Sequence, residues 1–331
     1  MALSKHTGSE IVGIVTVLPK TVEDNLELEM LSTDERKALV NHTGIRYRRI
    51  ASKQTTIKDL FEKAASQLLE KLAWENNQID ALICVTQTPQ MVIPSVACRL
   101  HGDLNLSSNT MCFDIVSGCS GFVYGLQVVY SMLASLGRDA RAILCCGDIS
   151  TQLIDANDKS VRPIFSDAAS AIAIEYIKGD KNKCGFFNLQ TDGAGQHAIE
   201  ITHQHNDKMQ LNGIDVFGYS VKLVPQNIQQ LLDFAQHSII FPDLFVLHQA
   251  NQLINESIRK KLNIPEDKVP YSITEFGNTA SASIPLTLSL AWDDCAKHSN
   301  WILATGFGVG FSVASVLLPF QPKFCSIIQD Y

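Results

Sequence analysis

Apolar and polar positions along this chain fall into blocks that predict strands and helices in turn. Ala81-Leu82-Ile83-Cys84-Val85 is a short continuous apolar run, the pattern of a strand covered on both faces in a parallel sheet. Ahead of it, Thr56 precedes Leu60, Phe61, Ala64, Ala65, Leu68, Leu69 and Leu72, which recur at the 3.6-residue period of a threonine-capped helix. Residues 10–17 alternate as a strand, and Thr33-Asp34-Glu35 offers a cap and an acidic first turn. Strand, helix and strand recur over 111–115, 121–136 and 142–146, the order of an α/β fold. A second series starts near Gly185, with a strand over 186–189 and a helix over 225–234 whose first turn holds Pro225. A central strand over 244–247 and a closing pair over 301–305 and 312–318 follow. The polar run 178–183 divides the series into halves, 1–178 and 179–331.

Two of these strands run straight into reactive residue types. Phe113-Asp114-Ile115-Val116-Ser117-Gly118-Cys119-Ser120-Gly121-Phe122 passes from an apolar strand through a small-residue turn into a helix. Cys119 then stands where free backbone N–H groups and the helix dipole converge, a setting that favours thiolate and can hold an oxyanion. The competing reading is a small buried cysteine used for packing. Phe245-Val246-Leu247-His248-Gln249-Ala250-Asn251 repeats the strand-to-helix pattern with a histidine. Phe276-Gly277-Asn278-Thr279-Ala280-Ser281 sets an asparagine in a glycine-bounded turn. Nucleophile, base or donor, and neutral amide donor thus each close a separate element.

Composition narrows the classes. The 331 residues are 46% hydrophobic and 18% charged, without a run of 18 apolar residues, which argues for a globular body and against a membrane protein. A formal charge of −7 and the lack of a basic tract argue against a nucleic-acid partner. Met1-Ala2-Leu3-Ser4-Lys5-His6 lacks the apolar core of a signal peptide, so a cytoplasmic location is expected. The nine cysteines are odd in number, with no Cys-x-x-Cys pair; all except Cys119 read as reduced packing residues. His203-Gln204-His205 lacks a completing ligand set beyond Asp207, so no metal is expected there. Gly306-Phe307-Gly308-Val309-Gly310 has the spacing of a nucleotide loop but leads into a strand, which argues against that use. Asp114 reads as a strand residue with a backbone or side-chain partner and not as a catalytic acid, and Glu275 as exposed.

At the cysteine turn, His248-Gln249-Ala250-Asn251 and Gly277-Asn278-Thr279, the chain resembles the ketoacyl synthase III branch of the thiolase superfamily. Thr43-Gly44-Ile45-Arg46, Ile93-Pro94-Ser95, Phe165-Ser166-Asp167 and Gly306 to Phe311 fall in family order, so the likeness covers nearly the whole chain. It implies an α/β, five-layer αβαβα fold with two pseudo-duplicated halves. It also implies a reaction in which Cys119 takes an acyl group from a thioester, and His248 and Asn278 bind the enolate oxygen left when a malonyl thioester loses CO2. The N–H groups of Cys119 and Val309 are the implied oxyanion hole, although valine stands where glycine is commoner. Ile93 and Phe217 are implied in the substrate pocket, with Ile93 reaching a partner subunit. Arg36, Lys159, Asn251, Arg259, Lys260 and Lys261 are the implied contacts to coenzyme A or acyl carrier protein. No cofactor is expected beyond those thioesters, and a homodimer is. Arg36 replaces a tryptophan, Lys159-Ser160 an Arg-Gly pair and Leu253 an arginine, so coenzyme A handling is expected to differ and the role to be specialised. Two alternatives stand beside condensation: transfer of the acyl group to an alcohol or amine with His248 as base, and a silent subunit of a heterodimeric synthase.

Overall fold

In a computed structural model, which describes residues 2–331, the chain opens with two strands that go to different sheets, β1 (Ala2–Thr7) and β2 (Ser9–Val17). A hairpin of β3 (Thr21–Asp24) and β4 (Tyr47–Ile50) brackets helix α1 (Thr33–Thr43). The first half continues through α2 (Ile57–Leu72), β5 (Ala81–Val85), α3 (Val96–Asp103), β6 (Met111–Ile115), α4 (Gly121–Ser135), β7 (Ala140–Asp148) and β8 (Ala168–Tyr176). The second runs through β9 (Cys184–Thr191), the hairpin β10 (Ile199–Thr202) and β11 (Lys208–Leu211), α5 (Gly213–Ala235), β12 (Leu244–Leu247), α6 (Gln252–Lys261) and α7 (Ile273–Phe276). It closes with α8 (Ser283–Leu290), β13 (Trp301–Gly308), β14 (Ser312–Pro319) and β15 (Cys325–Ile328).

Two mixed sheets stack with helices between and outside them, giving the five αβαβα layers. The six-stranded sheet has the order β15-β2-β8-β7-β5-β6 and the five-stranded sheet β1-β9-β14-β13-β12. Helices α4 and α8 fill the middle layer; α2 and α3 cover one outer face, α5 and α6 the other. Helix α4 is apolar on nearly every side and is therefore stable only when enclosed. Its Phe122, Val123, Leu126, Val129 and Tyr130 pack with Ile83, Leu144, Val246 and Val316 from both sheets. All five residues of β5 are buried, as an all-apolar strand between helix layers requires.

The halves share one pairing scheme. In β2-β8-β7-β5 the successive pairs are antiparallel, antiparallel and parallel, and β9-β14-β13-β12 repeats that sequence. By this correspondence the histidine strand β12 matches β5 and not the cysteine strand β6, which has no counterpart among the described strands of the five-stranded sheet. The turns that match are those opening the two middle helices, and they carry Cys119 and Asn278. The polar run 178–183 is where the chain passes from one sheet to the other. The terminal strands cross that line: β1 pairs antiparallel with β9, and β15 pairs parallel with β2. Residues after 320 are thus a strand that covers an otherwise open sheet edge.

Helix α5 starts twelve residues before the expected position, with Asn212 accepting from the N–H groups of Ile214 and Asp215. Val216, Ser220, Leu223 and Val224 continue its buried stripe, so Pro225 lies in the interior and not in the first turn. A proline there cannot donate to the carbonyl four residues back. That carbonyl belongs to Val221, and it accepts instead from Lys261 Nζ at 2.9 Å. None of the described helices is long and apolar enough to cross a membrane.

Candidate active site

Cys119 sits in the turn between β6 and α4 and is 5% exposed. The strand end Gly306-Phe307-Gly308 of β13 presses against it. A Cβ on Gly306 would stand 2.5 Å from the Cys119 carbonyl oxygen, and one on Gly308 would stand 2.9 Å from Sγ. The glycine-rich segment is therefore a close-approach device. Ser120 Oγ meets Ser312 Oγ at 2.7 Å, tying the turn to β14 as well. Backbone N–H groups of Val309 and of Cys119 itself are directed at the sulfur. The thiolate expected at a helix start does not prevail at rest: burial, reinforced by the Asp148 carboxylate, pushes the thiol up to about 12 against the pull of those two N–H groups.

His248 follows β12, its N–H donating to Thr305 at 2.8 Å. Its Nδ1 lies 2.6 Å from Ser283 Oγ, which also accepts from the Gln249 N–H at 3.3 Å. The imidazole is 1% exposed, and burial drives its pKa down to about 3, so it is neutral at physiological pH. Asn278 is bridged to Phe165 and held by two backbone bonds, its N–H to Ile164 and its carbonyl from Ser166. Its Oδ1 accepts from the Ala280 N–H at 3.0 Å, which leaves the amide NH2 as the donor facing outward from the turn. Gly277 precedes it at φ +59, packed so closely on Arg48 and Ser166 that a side chain would be strained there.

Cys119, His248 and Asn278 come together on one cavity of about 80 Å³. Phe165, Val216, Ile254 and Phe307 supply its apolar wall, and Asn251 borders it. A larger hollow of about 540 Å³ lies between Asn77 and Arg141, but its lining holds neither cysteine nor histidine. We therefore place the chemistry in the small enclosed cavity. Asp148 was not singled out by sequence reasoning. It is 1% exposed and accepts from Gln87 N–H, Thr86 Oγ1, Ser281 N–H and Ser281 Oγ, which fastens the Asn278 turn to the end of β7. Burial raises its pKa to about 6.

Residues 113–193 match the family model "3-Oxoacyl-[acyl-carrier-protein (ACP)] synthase III", and residues 232–320 match that family's C-terminal model. The β-ketoacyl-[acyl-carrier-protein] synthase III of Syntrophomonas wolfei is 32% identical over 323 residues, covering 93% of this chain and 96% of the relative. The chain belongs to the ketoacyl-ACP synthase III family. Its fold agrees with the crystal structure of a 3-oxoacyl-(acyl-carrier protein) synthase from Burkholderia xenovorans, at 30% identity and a TM-score of 0.93 over 99% of both chains. The priming β-ketosynthase of the R1128 polyketide pathway is 26% identical, with a TM-score of 0.85 over 96% of this chain and 98% of its own. The protein is accordingly a condensing acyltransferase of the thiolase superfamily.

The other residues singled out in the sequence fare unequally in this synthase. Asn251 caps α6, accepting from Ile254 N–H at 2.8 Å, and borders the cavity. Phe217 does not line it; one step along α5 turns the side chain away, and Val216 takes the position. Ile93 is 82% exposed on the loop before α3 and does not reach its own chain's cavity. Arg36 donates Nε and Nη1 to the carbonyls of Leu28 and Leu26, bonds in the guanidinium plane that fix its orientation. Lys159 pairs with Glu35 at 3.4 Å on the surface. On α6, Arg259 forks onto Glu256 at 2.8 and 3.0 Å, whereas Lys260, 3.7 Å from Glu256, and Lys261, which donates to the Val221 carbonyl, stay exposed with their charges. Asp114 accepts from Val96 and Ala97 N–H, and Glu275 is exposed, both as read from the sequence. His203 pairs with Asp207 on an exposed turn, and no three-ligand metal cluster occurs among the described residues.

Proposed function

We propose that Cys119 is the acyl acceptor and that His248 and Asn278 together hold the enolate oxygen formed when a malonyl thioester loses CO2. What supports this is one cavity shared by a thiol, a neutral imidazole and an amide whose NH2 is its free end. Ser283 Oγ, already an acceptor from the Gln249 N–H, has its hydroxyl hydrogen free for Nδ1 of His248, a pairing that would place the ring proton on Nε2 to meet the oxygen. Ser283 is thus a positioning residue that the sequence did not reveal. A histidine with a pKa near 3 is a weak general base at neutral pH, which disfavours transfer to an alcohol or amine. The N–H groups of Val309 and Cys119 stabilise the tetrahedral oxyanion during acylation of the sulfur.

Acyl groups arrive on carrier protein in this reading, in a specialised pathway. At the entrance Arg36 stands in place of an aromatic plate for adenine, and Lys159 is paired with Glu35 at 3.4 Å. Ile214 and Leu253, 85% and 52% exposed beside the lining residues Gly213 and Asn251, make it apolar instead. Carrier-bound acyl donor should acylate Cys119 with a kcat/KM at least about tenfold above the coenzyme A form, roughly the effect of one good contact at 1.4 kcal/mol. Equal values for the two donors would overturn the carrier assignment.

The active form is a homodimer joined along β6. That strand has a free edge, and Met111, Phe113, Val116, Val92 and Ile93 expose apolar surface around it. Ile93 would then close the acyl pocket of the partner. Light scattering should return twice the mass of one chain; a monomer that turns over at full rate would remove both the dimer and the shared pocket.

A further inference from the structure

Of the nine cysteines, all among the described residues, Cys98 alone is exposed on the single chain, on α3 beside the β6 edge, and its sulfur lies 3.7 Å from that of the half-buried Cys112. The contact joins α3 to the outer face of β6. Side chains alternate along a strand, so Cys112 and Asp114 share this face while Met111 and Phe113 point the other way. Asp114 clamps the same two elements together, accepting from Val96 and Ala97 N–H at 2.7 and 2.8 Å. The sulfurs are thus held in non-bonded contact by a helix cap one residue from Cys98 and two from Cys112.

We propose that Cys98 and Cys112 form an oxidation site, at which a peroxide converts the two thiols into an intramolecular disulfide while the nucleophile Cys119 stays reduced. Cys98, the exposed partner, attacks one peroxide oxygen as thiolate: an S–O bond forms, the O–O bond breaks, and the departing hydroxide takes up the proton the thiol released, giving water. Cys112 then attacks the Cys98 sulfenic acid. The S–S bond forms, the S–O bond breaks, and hydroxide with the Cys112 proton makes the second water. Two thiols are oxidised by two electrons in all, and one peroxide is reduced to two waters. Burial and then the neighbouring Cys98 thiol push the Cys112 pKa up to about 11, so the exposed Cys98 and not Cys112 is the thiol that meets peroxide first, and Cys112, 3.7 Å away, is placed to resolve it. Cys119 is spared by place and by charge state, 5% exposed at the base of a small cavity and held largely as thiol.

The experiment treats the reduced full chain with hydrogen peroxide, alkylates free thiols under denaturing conditions, and maps peptides by mass without reduction. The wild type should lose the mass of two hydrogens, with Cys98 and Cys112 linked and Cys119 alkylated. It should also melt at a higher temperature than its reduced form and keep its condensing rate. Cys98→Ser should show no disulfide, and Cys112→Ser should leave a Cys98 sulfenic acid that dimedone traps. Oxidation of Cys119 before the pair, a disulfide joining two chains, or over-oxidised Cys98 beside free Cys112 would each overturn the proposal. None of these outcomes depends on which thioester the enzyme uses.

Discussion

Cys119→Ala protein should form no acyl-enzyme from any thioester, carrier-bound or not, and intact mass after incubation with acyl donor should equal that of the untreated chain. The fold should persist with an unchanged melting temperature, since the turn is built of small residues and Gly308 already crowds the sulfur. Loss of condensation should be complete, because neither His248 nor Asn278 can replace a sulfur that bonds to the acyl carbon. The wild-type thiol carries its own signature. Burial raises its pKa, so the thiolate fraction stays small and grows by about tenfold per pH unit through the neutral range. Iodoacetamide inactivation should therefore accelerate steadily with pH and show no plateau until about 12. A plateau near neutral pH would mean that the helix start and the two N–H groups outweigh burial. Acyl attachment to the alanine variant would remove Cys119 as nucleophile.

Asn278→Ala should separate the two half-reactions. Acylation of Cys119 relies on the Val309 and Cys119 N–H groups and should remain near the wild-type rate. Malonyl decarboxylation and carbon–carbon bond formation should fall by about a hundredfold or more, the size of one lost oxyanion donor. The variant also loses the Oδ1 bond to Ala280 N–H, which costs about 1 kcal/mol of stability, so its melting curve is measured alongside. Acylating the enzyme, adding malonyl carrier protein and following CO2 and ketoacyl product reads both steps. If acylation and decarboxylation dropped together, Asn278 would be a structural residue of the turn. If wild-type enzyme acylated but passed its acyl group to an alcohol or amine without releasing CO2, condensation would yield to simple transfer in this chain.

The three reactive residues were legible before folding because each sits in a local signal: an apolar strand, a turn of glycine and small side chains, and a following helix. Such signals depend on backbone conformation over a few residues, and Gly277 at φ +59 and Gly308 at φ +149 bear that out. Strand β5 and helix α2 were legible for the same reason, as uninterrupted or 3.6-period apolar patterns. Charge patterns misled where they had to be read without partners. Arg259, Lys260 and Lys261 look like one patch in sequence, yet Arg259 is neutralised by Glu256, and Lys261 donates to a carbonyl that Pro225 leaves free forty residues away while keeping its charge at the surface.

By itself the sequence determined the alternation of strand and helix and marked Cys119, His248 and Asn278 as candidates at the ends of separate elements, which follow from periodicity and turn chemistry within short windows; the five-layer arrangement was implied by the family resemblance. Tertiary structure alone decided what those groups are chemically. Enclosure between two sheets removes water, and so it makes the Cys119 thiol reluctant to ionise and keeps His248 neutral. Contacts distant in sequence then orient them, Ser283 on His248 across 35 residues and Asp148 on the Asn278 turn across 133. The exchange of β1 and β15 between sheets and the meeting of Cys98 with Cys112 belong to the same class. They depend on which surfaces remain uncovered once the core has packed, and no local pattern encodes that.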